Sequence, residues 1–208
     1  MPKPFPICYI TDRRTLQPKP LLPLVLEAVR AAVEIVQIRE KDLPTRELLG
    51  LVQAAVREVE RARSVTRVLV NDRLDVALAA GAHGVHLGTQ SMPAAAVRRI
   101  VPKGFLIGVS CHSLREAQEA ESAGADYVLL GPIFETPSKI RYGPPLGLTA
   151  LGEVAARVSI PLYALGGITV DRVHSCLEAG ASGIAGIAVF QTAESLAGCV
   201  RELRAQGL

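Results

Sequence analysis

The 208-residue chain has no tryptophan, and only 4% of its residues are aromatic. A surface that stacks the bases of single-stranded nucleic acid would need more aromatic side chains. The excess of positive charge is also small, because 23 Lys and Arg against 20 Asp and Glu give a net charge of +3. These charges are dispersed and form no run of one sign, so the sequence predicts no nucleic-acid partner.

The sequence also lacks paired cysteines, a signal peptide and long apolar runs. Its four cysteines never occur in C-x-x-C spacing, which argues against a zinc or redox site and favours reduced thiols. Residues 1–8 carry three prolines and only a short apolar stretch, unlike a signal peptide. No apolar run approaches the length of a membrane span. We therefore expect a cytoplasmic protein with no membrane partner.

What the sequence does contain is an alternation of short apolar runs with longer amphipathic segments. The runs are rich in Val, Ile and Leu without strict alternation, as is typical of parallel strands buried on both faces. The predicted strands are Ile7–Thr11, Ile35–Ile38, Val68–Val70, Gly84–Leu87, Leu106–Val109, Tyr127–Leu130, Leu162–Leu165 and Gly183–Ala188.

Helices are predicted between these strands. Ser113 is a candidate N-cap, and Gly81, Gly124 and Gly180 each follow a predicted helix where a left-handed residue is favoured. The predicted helices are Leu21–Ala32, Thr45–Arg63, Arg73–Ala80, Ala94–Ile100, Leu114–Ala123, Leu148–Val158, Val170–Ala179 and Ser195–Gln206.

Repeated strand-helix alternation indicates a parallel sheet with right-handed crossovers. About eight repeats favour a closed (β/α)₈ TIM barrel of the α/β class, formed as a single domain by residues 1–208. The alternative is an open doubly wound sheet, but no glycine-rich fingerprint follows the first strand. Similar helix-to-strand junctions at residues 80–85, 123–128 and 179–184 support the barrel.

In such a barrel the active site lies at the carboxyl ends of the strands. Strand two ends in Gln37, Arg39 and Lys41, which alternate along the chain and would point together into the barrel mouth. An arginine beside a glutamine there is unfavourable unless an anion or another hydrogen-bonding ligand meets it. The alternative is that these side chains are solvated at a strand end.

The next two strands end in further polar residues. Asn71 and Asp72 follow strand three, and Asp72 is either a ligand of a Mg²⁺ carried by a diphosphate or the N-cap of the next helix. His86 ends strand four and is either a hydrogen-bonded core residue or a functional one.

Strand five ends in Ser110 and His112. Ser110 is a candidate for a hydrogen bond to ligand, and His112 is either a base or a support at the start of a helix.

The loops after strands six to eight have the features of a phosphate site. Residues 131–145 are too long for a simple connection and are typical of a lid. Hydroxyl and ammonium groups in this loop suit a phosphate, and glycine-rich turns after strands seven and eight are the usual phosphate cradle of the fold. The candidates here are Thr136, Ser138, Lys139, Gly167, Ile187 and Ala188.

Taken together in this order, these motifs resemble the thiamine phosphate synthase family over nearly the whole chain. Each piece is common by itself, and the combination is specific. The matching stretches are residues 37–41 (Gln-Ile-Arg-Glu-Lys), 71–73 (Asn-Asp-Arg), 84–88 (Gly-Val-His-Leu-Gly), 108–112 (Gly-Val-Ser-Cys-His), 131–134 (Gly-Pro-Ile-Phe), 136–139 (Thr-Pro-Ser-Lys) and 166–168 (Gly-Gly-Ile).

The resemblance implies an enzyme that joins hydroxymethylpyrimidine diphosphate to hydroxyethylthiazole phosphate and releases pyrophosphate, with Mg²⁺ as cofactor. It also implies a role for each candidate residue. At the pyrimidine end, Gln37, Arg39 and Lys41 would hold the pyrimidine and its diphosphate with help from Asn71, Asp72 would bind Mg²⁺, and Ser110 would contact the pyrimidine or the leaving group. Lys139 would bind the pyrophosphate. At the thiazole end, Thr136 and Ser138 would face the thiazole and Gly167 would donate to its phosphate, while His86, Ile187 and Ala188 would line the substrates.

The chain departs from the family pattern at several positions. Family members usually carry Gly-Gln-x-Asp after strand four, and here Thr89 and Ser91 replace the Gln and the metal-binding Asp. Ala188 stands where a phosphate-contacting Ser is usual. The related thiazole tautomerases lose such positions, but they use a His after strand six, where this chain has Pro132.

Three functions remain open on the sequence. The first is a synthase with rearranged metal binding, in which Arg39, Lys41 and Lys139 are catalytic. The second is a tautomerase-like enzyme in which His112 is the general acid or base. The third is a non-catalytic protein that binds thiamine phosphate. A homodimer is possible, although no apolar stripe marks an interface.

Overall fold

A computed structural model describes residues 5–16, 19–136 and 144–207. Eight parallel strands pair in chain order, and β1 also pairs with β8, which closes the barrel. The predicted (β/α)₈ barrel is confirmed. The strands are β1 (Ile7–Ile10), β2 (Ile35–Ile38), β3 (Arg67–Asn71), β4 (Gly84–Leu87), β5 (Leu106–Cys111), β6 (Tyr127–Leu130), β7 (Leu162–Leu165) and β8 (Gly183–Gly186).

Helices surround the barrel, and most lie where the amphipathic segments predict them. A short 3₁₀ turn, Val170–Arg172, precedes the eighth helix. The helices of the described residues are α1 (Arg13–Leu16), α2 (Leu21–Arg30), α3 (Thr45–Ala62), α4 (Leu74–Ala79), α5 (Ala94–Arg98), α6 (Leu114–Ser122), α7 (Gly147–Ala155), α8 (Val173–Glu178), α9 (Ala188–Gln191) and α10 (Leu196–Ala205).

The strands are apolar on both faces because successive residues serve two different cores. In β1, Ile7 and Tyr9 pack outward against the helices, whereas Cys8 and Ile10 pack inside the barrel. The interior is filled partly by Tyr127 and the ring of Tyr163, which stack with centroids 5.2 Å apart. The barrel interior is therefore a packed core.

The predicted helix boundaries are confirmed where local chemistry sets them. The Ser113 hydroxyl accepts a hydrogen bond from the N–H of Glu116, which makes it the N-cap of α6. Gly81, Gly124 and Gly180 have φ of 68°, 83° and 97°, as left-handed residues after α4, α6 and α8.

Other boundaries differ from the sequence-based predictions. The segment predicted as the end of strand eight is wrong, because Ile187 caps a short helix that begins at Ala188. Helix α1 was not predicted, and the helix predicted at Val170–Ala179 begins as a 3₁₀ turn. One-turn helices carry too little periodicity to be seen in a sequence.

Within the described ranges, every helix is too short or too polar to cross a membrane.

Candidate functional site

Strand β2 brings an unpaired amide and two cations to the carboxyl end of the barrel. Gln37 is 1% exposed, and its side-chain Nε2 has no hydrogen-bond partner in the described residues. Arg39 is half-buried and Lys41 is exposed, and neither side chain is paired with a described residue. A buried amide donor without a partner is unfavourable, which points to a ligand or water at this position.

The intervening residue, Glu40, faces the other way and fixes the backbone of this segment. Its carboxylate accepts hydrogen bonds from Thr11 Oγ1 at 2.6 Å and from the N–H of Arg13 at 3.0 Å. The Thr11 hydroxyl in turn accepts from the N–H of Arg39 at 2.9 Å. Burial raises the pKa of Glu40, and these donors oppose the rise. The network holds Arg39 beside the β1 loop.

The residue after β3 has an unusual backbone. Asp72 has φ of 65°, which is uncommon for a residue other than glycine, and its N–H donates to the carbonyl of His86 at 2.8 Å. Its carboxylate is exposed and makes no hydrogen bond within the described residues, so the alternative role as N-cap of the next helix is not realised. Such strain is typical of functional positions. Asn71 ends β3 beside it and is half-buried.

His86 lies inside the barrel and links two other polar side chains. Its Nε2 is 2.9 Å from Ser110 Oγ, and its Nδ1 is 3.1 Å from the Tyr127 hydroxyl. It is 2% exposed, and burial, with a smaller contribution from Arg39, lowers its pKa to about 3. His86 is therefore neutral and both its ring nitrogens are occupied, so it supports Ser110, which lies nearer the mouth.

The loop after β4 carries no carboxylate. The Ser91 hydroxyl accepts a hydrogen bond from the N–H of Gly88 at 2.7 Å and closes the turn. In the described part of the chain, no group of three or more His, Cys, Asp or Glu side chains is arranged to hold a metal. Asp72 is thus a single carboxylate rather than part of a protein cage.

His112 lies exposed at the end of β5. Its Nδ1 hydrogen-bonds to the carbonyl of Gly131, and its N–H donates to Glu116 at 2.7 Å. If Nδ1 carries the proton, Nε2 is left as an acceptor facing away from Gly131. The ring is thus tethered to the first residue of the loop after β6.

The loop after β6 packs closely on the loop after β7. The N–H groups of Ile133 and Phe134 donate to the carbonyls of Leu165 and Gly166 at 2.8 and 3.1 Å. Gly167 has φ of 65°, and a Cβ there would lie 2.6 Å from the Glu135 carbonyl oxygen. Only glycine fits this position. The N–H of Gly167 has no partner in the described residues.

The remaining candidates lie around the same opening or outside the described residues. Thr136 ends the described part of the lid and is half-buried. Ser138 and Lys139 lie outside the described residues, as do residues 137–143 of the predicted lid in general. Ile187 contacts the interior core, and Ala188 is exposed at the start of α9, with no side-chain hydroxyl to offer a phosphate.

Two residues at the site were not found from the sequence. Tyr127 supports His86 from inside the barrel. Arg172 donates to the carbonyl of Gly167 at 2.8 Å, and its guanidinium lies 4.7 Å from the centre of the Phe134 ring. No local signal marks either residue, because both act through contacts with distant parts of the chain.

Known proteins match this chain along most of its length. The family model for thiamine monophosphate synthase matches residues 7–190. Thiamine-phosphate synthase of Roseiflexus castenholzii is 43% identical, over 88% of this chain and 82% of that protein. The Methanoculleus marisnigri thiamine-phosphate synthase is 42% identical, over 96% and 94%. The solved structure of thiamine phosphate pyrophosphorylase from Pyrococcus furiosus superposes with a TM-score of 0.86 and 36% identity, covering 97% of this chain and 95% of that one.

Proposed function

The chain belongs to the thiamine monophosphate synthase family and is a transferase of thiamine biosynthesis, and from this premise we propose that it joins hydroxymethylpyrimidine diphosphate to hydroxyethylthiazole phosphate. The observation that carries the proposal is the unpaired Gln37 amide beside the unpaired cations Arg39 and Lys41 at the barrel mouth. A buried amide donor without a partner, next to a half-buried arginine and an exposed lysine, suits an anionic, hydrogen-bonding ligand.

In the proposed reaction the bond between the pyrimidine methylene carbon and the diphosphate oxygen breaks, and its electron pair leaves with pyrophosphate. The lone pair of the thiazole nitrogen then forms the new carbon–nitrogen bond. This chemistry needs positively charged groups that stabilise the leaving pyrophosphate, and it needs the exclusion of water. Proton transfer is less important. We assign the charge to Arg39 and Lys41, with Lys139 of the lid as the third cation.

The described residues fit a Mg²⁺ ion that arrives with the diphosphate. Mg²⁺ is usually held by one or two carboxylates plus substrate phosphates. Asp72 would be the carboxylate, and Asn71 the neighbouring amide for the diphosphate. When bound, the ion would neutralise charge on the leaving pyrophosphate. Ser91, after the neighbouring strand β4, has a hydroxyl instead of a carboxylate, and this hydroxyl already accepts a hydrogen bond from the N–H of Gly88.

Ser110 is proposed to contact the pyrimidine or the leaving group. Its hydroxyl is held by neutral His86, which is itself held by Tyr127. This chain of hydrogen bonds fixes the position of the Ser110 hydroxyl. His86 then acts by positioning Ser110 rather than by contacting substrate.

The thiazole end is proposed to lie near the loops after β6, β7 and β8. The unpaired N–H of Gly167 suits the thiazole phosphate, while Thr136, Ser138, Ile187 and Ala188 would surround the ring or its phosphate. Gly167 is the most specific of these assignments, because there is no room for a side chain at its position.

A tautomerase-like activity is the second candidate. The observation that favours it is the His112 ring, whose tether to Gly131 leaves Nε2 available as a general acid or base. The missing Asp at position 91 also favours it over a fully metal-dependent synthase. A non-catalytic thiamine phosphate-binding protein is the third, and it would show affinity without turnover.

The test is to incubate the purified protein with both substrates and Mg²⁺ and to follow thiamine phosphate and pyrophosphate. We expect turnover, and Arg39→Ala should lower kcat/KM by about 10²–10³, as loss of one stabilising donor does. Arg57→Ala, which removes an exposed arginine on α3, is the matched control and should leave turnover unchanged.

Absence of product while a ligand still raises the melting temperature would refute the synthase and favour the other two candidates. His112→Ala separates those two, because it would abolish a tautomerase and leave a binding protein's affinity intact. In a synthase, His112→Ala should leave most of the turnover.

Cytoplasmic location and a homodimer remain predictions. Cell fractionation and light scattering of the purified protein test them.

A further inference from the structure

Arg172 joins two loops at the proposed thiazole end of the site. Its Nη1 donates to the carbonyl of Gly167 at 2.8 Å, and its guanidinium carbon lies 4.7 Å above the centre of the Phe134 ring. Phe134 belongs to the loop after β6 and Gly167 to the loop after β7. One side chain thus contacts two loops that are also joined by backbone hydrogen bonds.

Two successive peptide groups in the second loop are fixed through their carbonyls. The Gly166 carbonyl accepts from the N–H of Phe134 at 3.1 Å, and the Gly167 carbonyl accepts from Arg172. In a planar trans peptide the N–H points opposite to the carbonyl. The N–H groups of Gly167 and Ile168 are therefore directed away from their fixed carbonyls, and neither has a partner among the described residues.

The backbone conformation adds to this arrangement. Gly166 and Gly167 have φ of 96° and 65°, so the turn is left-handed at both positions. Consecutive N–H groups in turns of this kind form concave anion sites. The bond from Arg172 adds a restraint on the Gly167–Ile168 peptide, because glycine restrains its own backbone little.

We propose that Arg172 is a positioning residue that fixes the N–H groups of Gly167 and Ile168 for the phosphate of the thiazole substrate. The proposal rests on the proposed function and adds to it the residue that sets selectivity for a phosphorylated over an unphosphorylated thiazole. Its planar guanidinium stacks on Phe134 and donates to Gly167 at once. Lysine has a point charge and cannot do both in the same geometry.

The first variant, Arg172→Met, removes the hydrogen-bond donor and the positive charge. The second, Arg172→Lys, retains a donor and the charge but loses the contact of the guanidinium with the Phe134 ring. Phe134→Leu removes the stack alone. Arg99→Met removes an exposed arginine at the end of α5 and is the control for the change in net charge. Circular dichroism and thermal melting of each variant establish that it is folded.

The measurement is equilibrium binding of hydroxyethylthiazole phosphate and of unphosphorylated hydroxyethylthiazole by calorimetry, together with KM for both substrates where turnover occurs. We expect Arg172→Met to weaken binding of the phosphorylated thiazole at least about tenfold, the scale of a lost charge-assisted hydrogen bond, and to leave the unphosphorylated thiazole unaffected. KM for the pyrimidine diphosphate should not change. The affinities of Arg172→Lys and Phe134→Leu for the phosphorylated thiazole should lie between those of the wild-type protein and Arg172→Met.

The proposal would be overturned if Arg172→Met lost affinity equally for both thiazoles or if its KM values rose equally for both substrates. The same effect in Arg99→Met would also overturn it. Because binding is measured without turnover, the test does not depend on synthase activity. If the wild-type protein binds the phosphorylated thiazole selectively but makes no product, the proposed function fails and the role of Arg172 stands.

Discussion

At the scale of single residues, we expect the side chain at position 91 to set how much negative charge the protein brings to the proposed Mg²⁺ ion. Ser91 follows β4, and Asp72 follows the neighbouring strand β3. A hydroxyl is a weaker ligand than a carboxylate for a hard dication, so the site should depend on the diphosphate for most of its Mg²⁺ ligands.

The substitution Ser91→Asp should therefore lower the Mg²⁺ concentration needed for half-maximal turnover by roughly tenfold, because the affinity of a site for hard cations rises with the number of its carboxylate ligands. A Mg²⁺ titration of the purified protein measures it. Ser91→Ala is the control, since it loses the bond to Gly88 but changes no charge. If the aspartate variant and the wild-type protein titrate alike, position 91 does not face the metal.

At the scale of elements, β5 owes its fit against β6 to one glycine. Gly108 is paired with Tyr127 across the two strands, and a Cβ at Gly108 would overlap the Tyr127 ring. The absence of a side chain lets that ring fill the barrel interior and lets its hydroxyl reach His86. The support of Ser110 through Tyr127 and His86 thus depends on the absence of a side chain at Gly108, two residues earlier on the same strand.

We expect Gly108→Ala to lower the free energy of unfolding by about 1–3 kcal/mol, the usual penalty for overpacking a core. Urea denaturation measures it. The matched control is Gly50→Ala in α3, where a Cβ meets nothing within 4 Å and a gain of about 0.5–1 kcal/mol is expected. A Gly108 variant as stable as the wild-type protein would show that the Tyr127 ring can move aside.

At the scale of the whole molecule, buried His86 makes stability depend on pH. Its pKa is about 3 in the folded protein against 6.5 in an unperturbed chain. Below pH 6.5 the unfolded chain takes up a proton that the folded one does not, so the folded state loses stability as the pH falls, down to about pH 3.

The unfolding free energy of the wild-type protein should therefore fall by up to about 1.4 kcal/mol per pH unit more steeply than that of His86→Gln below pH 6. Urea unfolding at a series of pH values gives both slopes. The difference in slope, not in absolute stability, is the result that matters. Parallel slopes would mean that His86 protonates in the folded state, which histidine NMR would detect directly.

The barrel and the strand ends that carry most candidate residues could be predicted from local sequence patterns. Strands buried on both faces are read from their composition, and the junction glycines and the Ser113 cap are read from local chemistry that needs no other part of the chain. The alternation of side chains along a strand likewise predicts that Gln37 and Arg39 share a face.

The contacts that support these residues could not be predicted in this way, because they join distant parts of the chain. His86 bonds to residues 24 and 41 positions away, and Arg172 contacts Phe134 on a separate loop. Such contacts depend on which strands become neighbours and on how deep each side chain lies, and no local pattern encodes either. For the same reason, the lack of a hydrogen-bond partner for the Gln37 amide could be recognised only once all the neighbours of this side chain in the folded protein were known.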